Sequence, residues 1–252
     1  MSIYTHTHVP IPEDGRFKIS PSAISKFFEY PVNWYKEHIL GESGFTGSTS
    51  SVLGTSCHYV AEQYALSQIN GTPLDTEQLK ATINADLDAL DNPDINIDEI
   101  KSLYPDMATT LVQEYVSRNI PTHVEHAVCA EYDHGVYVAG SIDAIQGTTI
   151  VDYKTTATKP RTDSIPWHYY IQLMAYAWAC KKQGITIDRI RIVWVCRPTK
   201  TLGPRVFVVN QQISSADWQA IDDVLRIMTD SILLHEAQPE LDYLVFKSMQ
   251  FK

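Results

Sequence analysis

The 252-residue chain has little cysteine and no long apolar run. Its four cysteines, Cys57, Cys129, Cys180 and Cys196, are scattered and form no C-x-x-C pair of the kind that zinc or iron–sulfur sites use, so we expect free buried thiols. No stretch approaches the roughly 18 consecutive apolar residues of a membrane span. The first residues also lack the basic-then-apolar order of a secretory signal. These absences predict a cytoplasmic protein without membrane contact.

Positive charge is also scarce, and it is unevenly placed. The formal net charge of −10 argues against a protein that coats nucleic acid by bulk attraction. Ten of the 20 basic residues nevertheless fall within residues 154–205, whereas residues 75–114 contain ten acidic residues and two lysines. A locally basic surface is typical of a nucleic-acid footprint, although a charge run by itself is more often a solvated face.

The pattern along the chain changes near residue 120. Before it, apolar spacing predicts helices, interrupted by a Gly/Ser/Thr-rich run over residues 41–51 that we expect to be a mobile loop. After it, alternating segments predict three consecutive antiparallel strands, a helix at about Trp167–Gln183, two more strands and a closing helix. We therefore predict an α+β fold in one domain over residues 1–252. Residues 1–119 would be a helical elaboration, and residues 120–252 a core with a mixed sheet in αβββαβ order.

The segment VDYKTT places two opposite charges on one face of a predicted strand. Side chains alternate along a strand, so Asp152 and Lys154 project together while Tyr153 points the other way. A turn at Gly147 would bring Asp143 beside Asp152, and a divalent cation would offset the repulsion between the two carboxylates. Two carboxylates and the backbone carbonyl of Tyr153 suit Mg²⁺. Taken alone, the tripeptide is more often an ordinary ion pair on an edge strand.

Four motifs in order resemble those of the PD-(D/E)XK nuclease superfamily, specifically its RecB-like exonuclease branch. They are GTSCH, with Gly54 and His58 in a G-x-x-x-H pattern, then GSIDA, VDYKT, and the helix YYIQLMAYAWA. The resemblance spans roughly residues 20–197 and includes the mitochondrial genome maintenance exonuclease and related phage nucleases. It implies a restriction-endonuclease-like core and a bacterial or phage-infected host cell.

The resemblance also implies roles for individual residues. Asp143, Asp152 and His58 would be metal ligands for Mg²⁺ or Mn²⁺, and Lys154 the catalytic lysine. Gln172 and Tyr176, one helical turn apart, would border the active site, and Glu125 occupies the position of a first-strand glutamate in relatives. Without the resemblance, His58 would be better explained as a structural histidine. Gln172 and Tyr176 would be explained equally well as a polar stripe beside a packed aromatic residue.

Departures from the family pattern narrow the prediction. Tyr30 precedes Pro31 where cluster-bearing relatives have a cysteine, and no cysteine follows Cys196, so we expect no iron–sulfur cluster. Ile142 replaces the proline of the Pro-Asp motif, which leaves the carboxylate of Asp143 in place. No G-x-x-x-x-G-K-[ST] motif is present, so the chain has no helicase motor of its own.

The predicted activity is hydrolysis of DNA, preferentially single strands or free ends, in replication, recombination or repair, with proteins of those processes as expected partners. Two alternatives remain open: a structure-selective or restriction-like endonuclease, and a catalytically retired module that binds DNA or protein. Basic and aromatic residues would contact the strand. The predicted DNA contacts are Lys159, Arg161, Trp167, His168, Lys182, Arg197 and Lys200.

Overall fold

The computed structural model describes residues 2–4, 9–42 and 47–238. The α-helices are α1 (Ile24–Glu29), α2 (Pro31–His38), α3 (Thr49–Asn70), α4 (Thr76–Asp88), α5 (Ile97–Glu114), α6 (Trp167–Lys182) and α7 (Ser215–Ala237). The strands are β1 (Phe17–Ile19), β2 (His123–Asp133), β3 (Val136–Gln146), β4 (Thr149–Thr156), β5 (Arg189–Cys196) and β6 (Arg205–Gln212). Short 3₁₀ turns precede α1 and follow α5.

A mixed sheet runs through the described residues. Strand β3 pairs antiparallel with β2 along one edge. On its other edge, β3 pairs with β1 at residues 136–138 and with β4 only at residues 144–146. Strand β4 continues past β3 to pair in parallel with β5, which pairs antiparallel with β6. Residues 139–143 of β3 therefore face a gap in the sheet, between β1 and β4.

Helices cover both faces of this sheet and divide the core in two. On one face, α6 and α7 pack with α1 and α2 around residues such as Trp34, Ile150 and Met174. On the other face, α3, α4 and α5 bury Leu53 and Leu111, among others, against β4 and β5. The gap in the sheet beside β3 thus lies between α3 on one face and α6 on the other.

The predicted α+β class with a mixed central sheet and a restriction-endonuclease-like core is confirmed. Strand β1, from the segment predicted to be helical, was not foreseen, because three residues are too few for alternation to be recognised. Of the predicted mobile run, residues 43–46 lie outside the described residues, and residues 49–51 already form the first turn of α3. The division at residue 119 stays a prediction. Among the described helices, none is long and apolar enough to cross a membrane.

Candidate active site

The hairpin of β3 and β4 sets two aspartates beside the gap in the sheet. Gly147 has a φ of 58°, and the pair Gln146–Thr149 closes a two-residue turn of the kind that favours glycine. The register places Ala144 opposite Val151, so Asp143 and Asp152 face each other one position beyond the last ladder pair. There Asp143 Oδ2 accepts a 2.8 Å hydrogen bond from the Tyr153 backbone N–H.

Glu125 extends this row of carboxylates onto a third strand. The pairs Val124–Ala144 and His126–Ile142 place Glu125 on β2 opposite Asp143 on β3. Its backbone has a φ of 45°, a left-handed conformation that is uncommon for a residue with a long side chain. The Ser141 hydroxyl donates a 2.7 Å hydrogen bond to Glu125 Oε2. Three carboxylates, on β2, β3 and β4, thus lie next to one another.

Lys154 supplies the positive charge in this buried group. Its Nζ donates to Asp152 Oδ1 at 2.9 Å and lies 2.8 Å from Oδ2. Asp152 is 4% exposed, and its Oδ2 is buried without a properly oriented hydrogen bond from any described group. The Lys154 ammonium also lies 5.1 Å from the ring centroid of Tyr169, which packs edge-on against Trp194.

Helix α3 brings His58 to the three carboxylates from the face of the sheet opposite α6. An added Cβ at Gly54 would lie 3.4 Å from the Thr155 hydroxyl, so the small residue allows α3 to approach β4 closely. One turn later, His58 Nδ1 lies 3.4 Å from Asp143 Oδ2. This spacing gives a physical reason for the G-x-x-x-H pattern.

Helix α6 closes the site with Tyr176 and Gln172. A Cβ at Gly140 would lie 3.1 Å from the Tyr176 hydroxyl, so the bare glycine in β3 makes room for this ring. The Gln172 side chain hydrogen bonds to Tyr176, and the charges of Asp143 and Asp152 act on the buried phenol. Burial raises the pKa of Tyr176, and those charges raise it further, so the hydroxyl stays protonated.

Burial is the largest single influence on the pKa of each charged group in the site. It raises the pKa of Asp152 to about 6, with Lys154 opposing and Asp143 adding to the shift. Burial and the charge of Asp143 raise the pKa of Glu125 to about 7. Burial also lowers the pKa of His58 to about 4, helped by Lys154, so the imidazole is neutral at pH 7. For Lys154, burial disfavours the ammonium, but Asp152 and Asp143 outweigh it and raise its pKa.

The donor chemistry of this group fits a hard divalent cation. Several carboxylates lie close together at a cost that a cation would remove, and one buried carboxylate oxygen lacks a hydrogen bond. In the described part of the chain, however, no three His, Cys, Asp or Glu side chains converge on one point. Lys154 is paired with Asp152 instead, and His58 lies beside Asp143. The predicted metal ligands are thus brought together, but not arranged as a closed cage.

Two further side chains, Glu62 and Tyr169, lie beside this charged group. Glu62, one turn beyond His58, is half-buried, and burial together with the charge of Asp143 raises its pKa. It lines a narrow cleft with His58, Glu125 and Asp143. The spacing of Glu62 from His58 on α3 was the available signal. Tyr169 could not be distinguished by sequence from the other aromatic residues near the start of α6.

The predicted DNA contacts do not form one surface. Lys159, Trp167, His168 and Lys200 are exposed near the ends of β4 and β5 and the start of α6. Lys182 is at the other end of α6, about 22 Å away at 1.5 Å per residue. Two of the arginines already have acidic partners. Arg161 pairs with exposed Asp163 at 2.7 Å, and Arg197 donates to Glu99 at 2.6 Å and to Ser50.

A larger cavity of about 600 Å³ lies elsewhere, between α3, α4 and α5. It is lined by apolar groups that include Tyr64, Leu79 and Tyr104, and its charged residues are exposed at the rim. Val60 and Tyr64 face it, two positions along α3 from His58 and Glu62 and therefore on the opposite side of that helix. We assign the chemistry to the buried charged group, because the cavity contains no comparable set of reactive side chains.

Comparison with known proteins identifies first the fold and then the superfamily. The fold resembles that of a Eubacterium rectale protein inferred to be an exonuclease, with a TM-score of 0.54, 18% identity, and coverage of 86% of this chain and 80% of that one. The alkaline exonuclease LHK-Exo of Laribacter hongkongensis aligns over 93% of this chain and 95% of its own, with 13% identity and a TM-score of 0.41. No curated protein matches the chain.

The molecule therefore has a restriction-endonuclease-like fold. The sequence model of the PD-(D/E)XK nuclease superfamily matches residues 18–241, and the chain belongs to this superfamily. Members of the superfamily generally use divalent metal ions, typically Mg²⁺.

Proposed function

We propose that the protein is a Mg²⁺- or Mn²⁺-dependent DNA exonuclease that prefers single strands or free ends. The observation that carries this proposal is the buried group of Asp143, Asp152 and Lys154 at the gap between β1 and β4, in a chain of the PD-(D/E)XK superfamily. A retired nuclease fold has no reason to keep two carboxylates and a lysine buried together, because a buried ion pair is often no more stabilising than apolar residues of similar volume.

In this proposal each side chain has a distinct task. Asp143, Asp152 and His58 would hold the cation, with Glu125 as a further acidic neighbour and the Tyr153 carbonyl as an additional oxygen. When bound, the divalent cation supplies Lewis-acid activation of water and of the phosphoryl oxygen. Lys154 stabilises the negative charge that develops on the phosphate. Gln172 and Tyr176 position the backbone of the substrate or water at the edge of the site.

The alternatives predict different products from the same substrates. End-labelled single- and double-stranded DNA, linear and circular, is incubated with Mg²⁺, Mn²⁺ or EDTA, with Asp152→Ala as the inactive control. An exonuclease shortens linear substrates and leaves circles intact. Cleavage of circles would instead show an endonuclease. Binding without hydrolysis under every metal condition would show a retired module.

A further inference from the structure

Two cations lie on one aromatic ring near the candidate active site. Lys159, in the loop between β4 and α6, has its Nζ 5.7 Å from the ring centroid of Phe207 on β6. The guanidinium carbon of Arg205 lies 5.6 Å from the same centroid. The face of an aromatic ring attracts a cation, so Phe207 holds two like charges near each other.

Neither cation has an acidic partner among the described residues. Within the ranges that the structure describes, Lys159 and Arg205 make no ion pair, in contrast to Arg161 and Arg197. Two like charges from different elements repel each other. Glu114 lies at this end of β6, but its carboxylate accepts a 3.2 Å hydrogen bond from the Val206 backbone N–H and forms no described ion pair with Lys159 or Arg205. An anionic ligand would offset the repulsion.

The ring lies in one row with the candidate catalytic lysine. Lys154 is paired with Trp194 across β4 and β5, and Trp194 is paired with Phe207 across β5 and β6. Two strand spacings of about 4.8 Å place the Cα of Phe207 about 10 Å from that of Lys154. Trp194, between them, is 7% exposed, and its indole N–H has no partner among the described groups. This row leads from the buried charged group toward the β6 edge of the sheet.

We propose that Lys159 and Arg205, held by Phe207, form a phosphate-binding subsite for the polynucleotide strand beside the cleaved bond. At 3.4 Å per nucleotide, as in a duplex strand, the distance from Lys154 corresponds to a few nucleotides. The subsite rests on the proposed nuclease function, which it deepens by assigning a direction to the strand, from the gap at β3 toward β6. Phosphate contacts of this kind position a strand without reading its sequence.

The chain offers a matched control for these charges. Lys181, at the end of α6, lies 4.6 Å from the ring of Trp218, so it makes the same kind of contact as Lys159. Arg189 is exposed at the start of β5, whereas Arg205 lies at the end of the sheet near the site. The double variant K181Q/R189Q therefore removes one lysine and one arginine, as K159Q/R205Q does, but at the opposite end of the strands.

The test measures the affinity of a labelled single-stranded oligothymidylate against salt by fluorescence anisotropy, with Ca²⁺ in place of Mg²⁺ to suppress cleavage. Each phosphate contact on a single strand contributes about 0.7 to the slope of log K against log salt. K159Q/R205Q is expected to reduce the slope by about 1.4, and K181Q/R189Q to leave it unchanged. Thermal unfolding of both variants checks that they are folded.

Turnover of the same oligonucleotide with Mg²⁺ separates two kinds of failure. If the parent hydrolyses DNA and K159Q/R205Q keeps the parental slope, or if both double variants lose slope equally, the subsite is disproved and the nuclease function stands. If the parent hydrolyses no DNA with any metal, the proposed function and the subsite fall together. K159Q/R205Q should raise KM more than it lowers kcat, because the subsite contacts the strand and not the reacting phosphate.

Discussion

The charged residues of the candidate active site and the exposed basic residues around it differ in their surroundings. Asp152 and Lys154 pair at 2.8 Å in a buried strand, where neighbouring charges shift each other's pKa. Arg161 and Asp163 pair at 2.7 Å, but both side chains are exposed to solvent. Water screens the exposed pair, and such pairs contribute little, whereas removing one partner of a buried pair costs about 3–5 kcal/mol.

The comparison shows that the position of a charged residue in the sequence does not predict how important it is for the chemistry. The basic stretch of residues 154–205 looks continuous on paper, yet Lys181 and Lys182 lie at the far end of α6 from Lys154. Burial separates the residues whose loss should stop chemistry from those whose loss should only change binding. The following predictions test this ranking, from the largest expected effect to the smallest.

The largest effects are expected in the buried pair. Asp152→Ala and Lys154→Ala should each lower kcat by about 100- to 1,000-fold, the usual loss when a group that stabilises the transition state is removed. The two variants should differ in metal affinity, because Asp152 would bind the metal and Lys154 would not. Calorimetric titration with Mn²⁺ checks this: affinity should fall in the aspartate variant and persist in the lysine variant. Equal affinities would contradict the assigned roles.

Metal affinity should depend on pH through the carboxylates. Folding raises the pKa of Glu125 from 4.5 to about 7 and that of Asp152 from 3.8 to about 6. The folded protein then binds more protons than the unfolded chain in this window, so metal-free stability falls as pH rises through it. A cation needs the unprotonated carboxylates, so its affinity should rise over the same window. Thermal unfolding with and without Mg²⁺ at several pH values measures both trends.

Glu125→Gln provides the control for that pH dependence. It removes the group with the higher pKa and keeps a side chain that can accept the Ser141 hydrogen bond. The pH dependence above about pH 6 should therefore shrink, while the part that arises from Asp152 remains. A variant with the full parental pH dependence would show that Glu125 does not titrate with the site.

An intermediate effect is expected from Tyr169, whose ring faces the Lys154 ammonium. A partly desolvated cation–π contact is worth about 1–2 kcal/mol, so Tyr169→Leu should lower kcat by about tenfold, and Tyr169→Phe should restore it. In a Lys154→Ala background, Tyr169→Leu should cause no further loss. Tyr170→Leu is the matched control, because its hydroxyl bonds Asp217 on α7 and not the site. Additive losses in the double variant would exclude a positioning role.

The smallest effect is expected from Arg161. Its guanidinium is exposed and already paired with Asp163, so Arg161→Gln should change DNA affinity by no more than about twofold. Arg197→Gln should instead lower the unfolding temperature, since Arg197 links β5 to Glu99 and Ser50. Anisotropy and thermal unfolding separate the two outcomes. A large loss of DNA affinity in Arg161→Gln would mean that DNA displaces Asp163.

Much of the site could be predicted because its spacing is local. Period-two alternation put Asp152 and Lys154 on one face, and a turn glycine at residue 147 fixed the register that sets Asp143 opposite Asp152. The i, i+4 spacing placed Gln172 and Tyr176 on one side of α6. These features depend on a few neighbouring residues, and the order of the motifs was sufficient to indicate the superfamily.

Other features follow only from the tertiary structure, because they depend on contacts between distant segments. The edge of β3 is shared by β1 and β4, and this sharing leaves the gap in which Asp143 lies. The left-handed backbone at Glu125 and the pairing of Arg197 with Glu99 have no local signature. The same holds for Lys159 and Arg205 on Phe207, since only the packed sheet brings a loop after β4 to the ring of β6. Sequence alone determined which chemical groups are available for the candidate site, and the long-range register and burial decided which of them lie together.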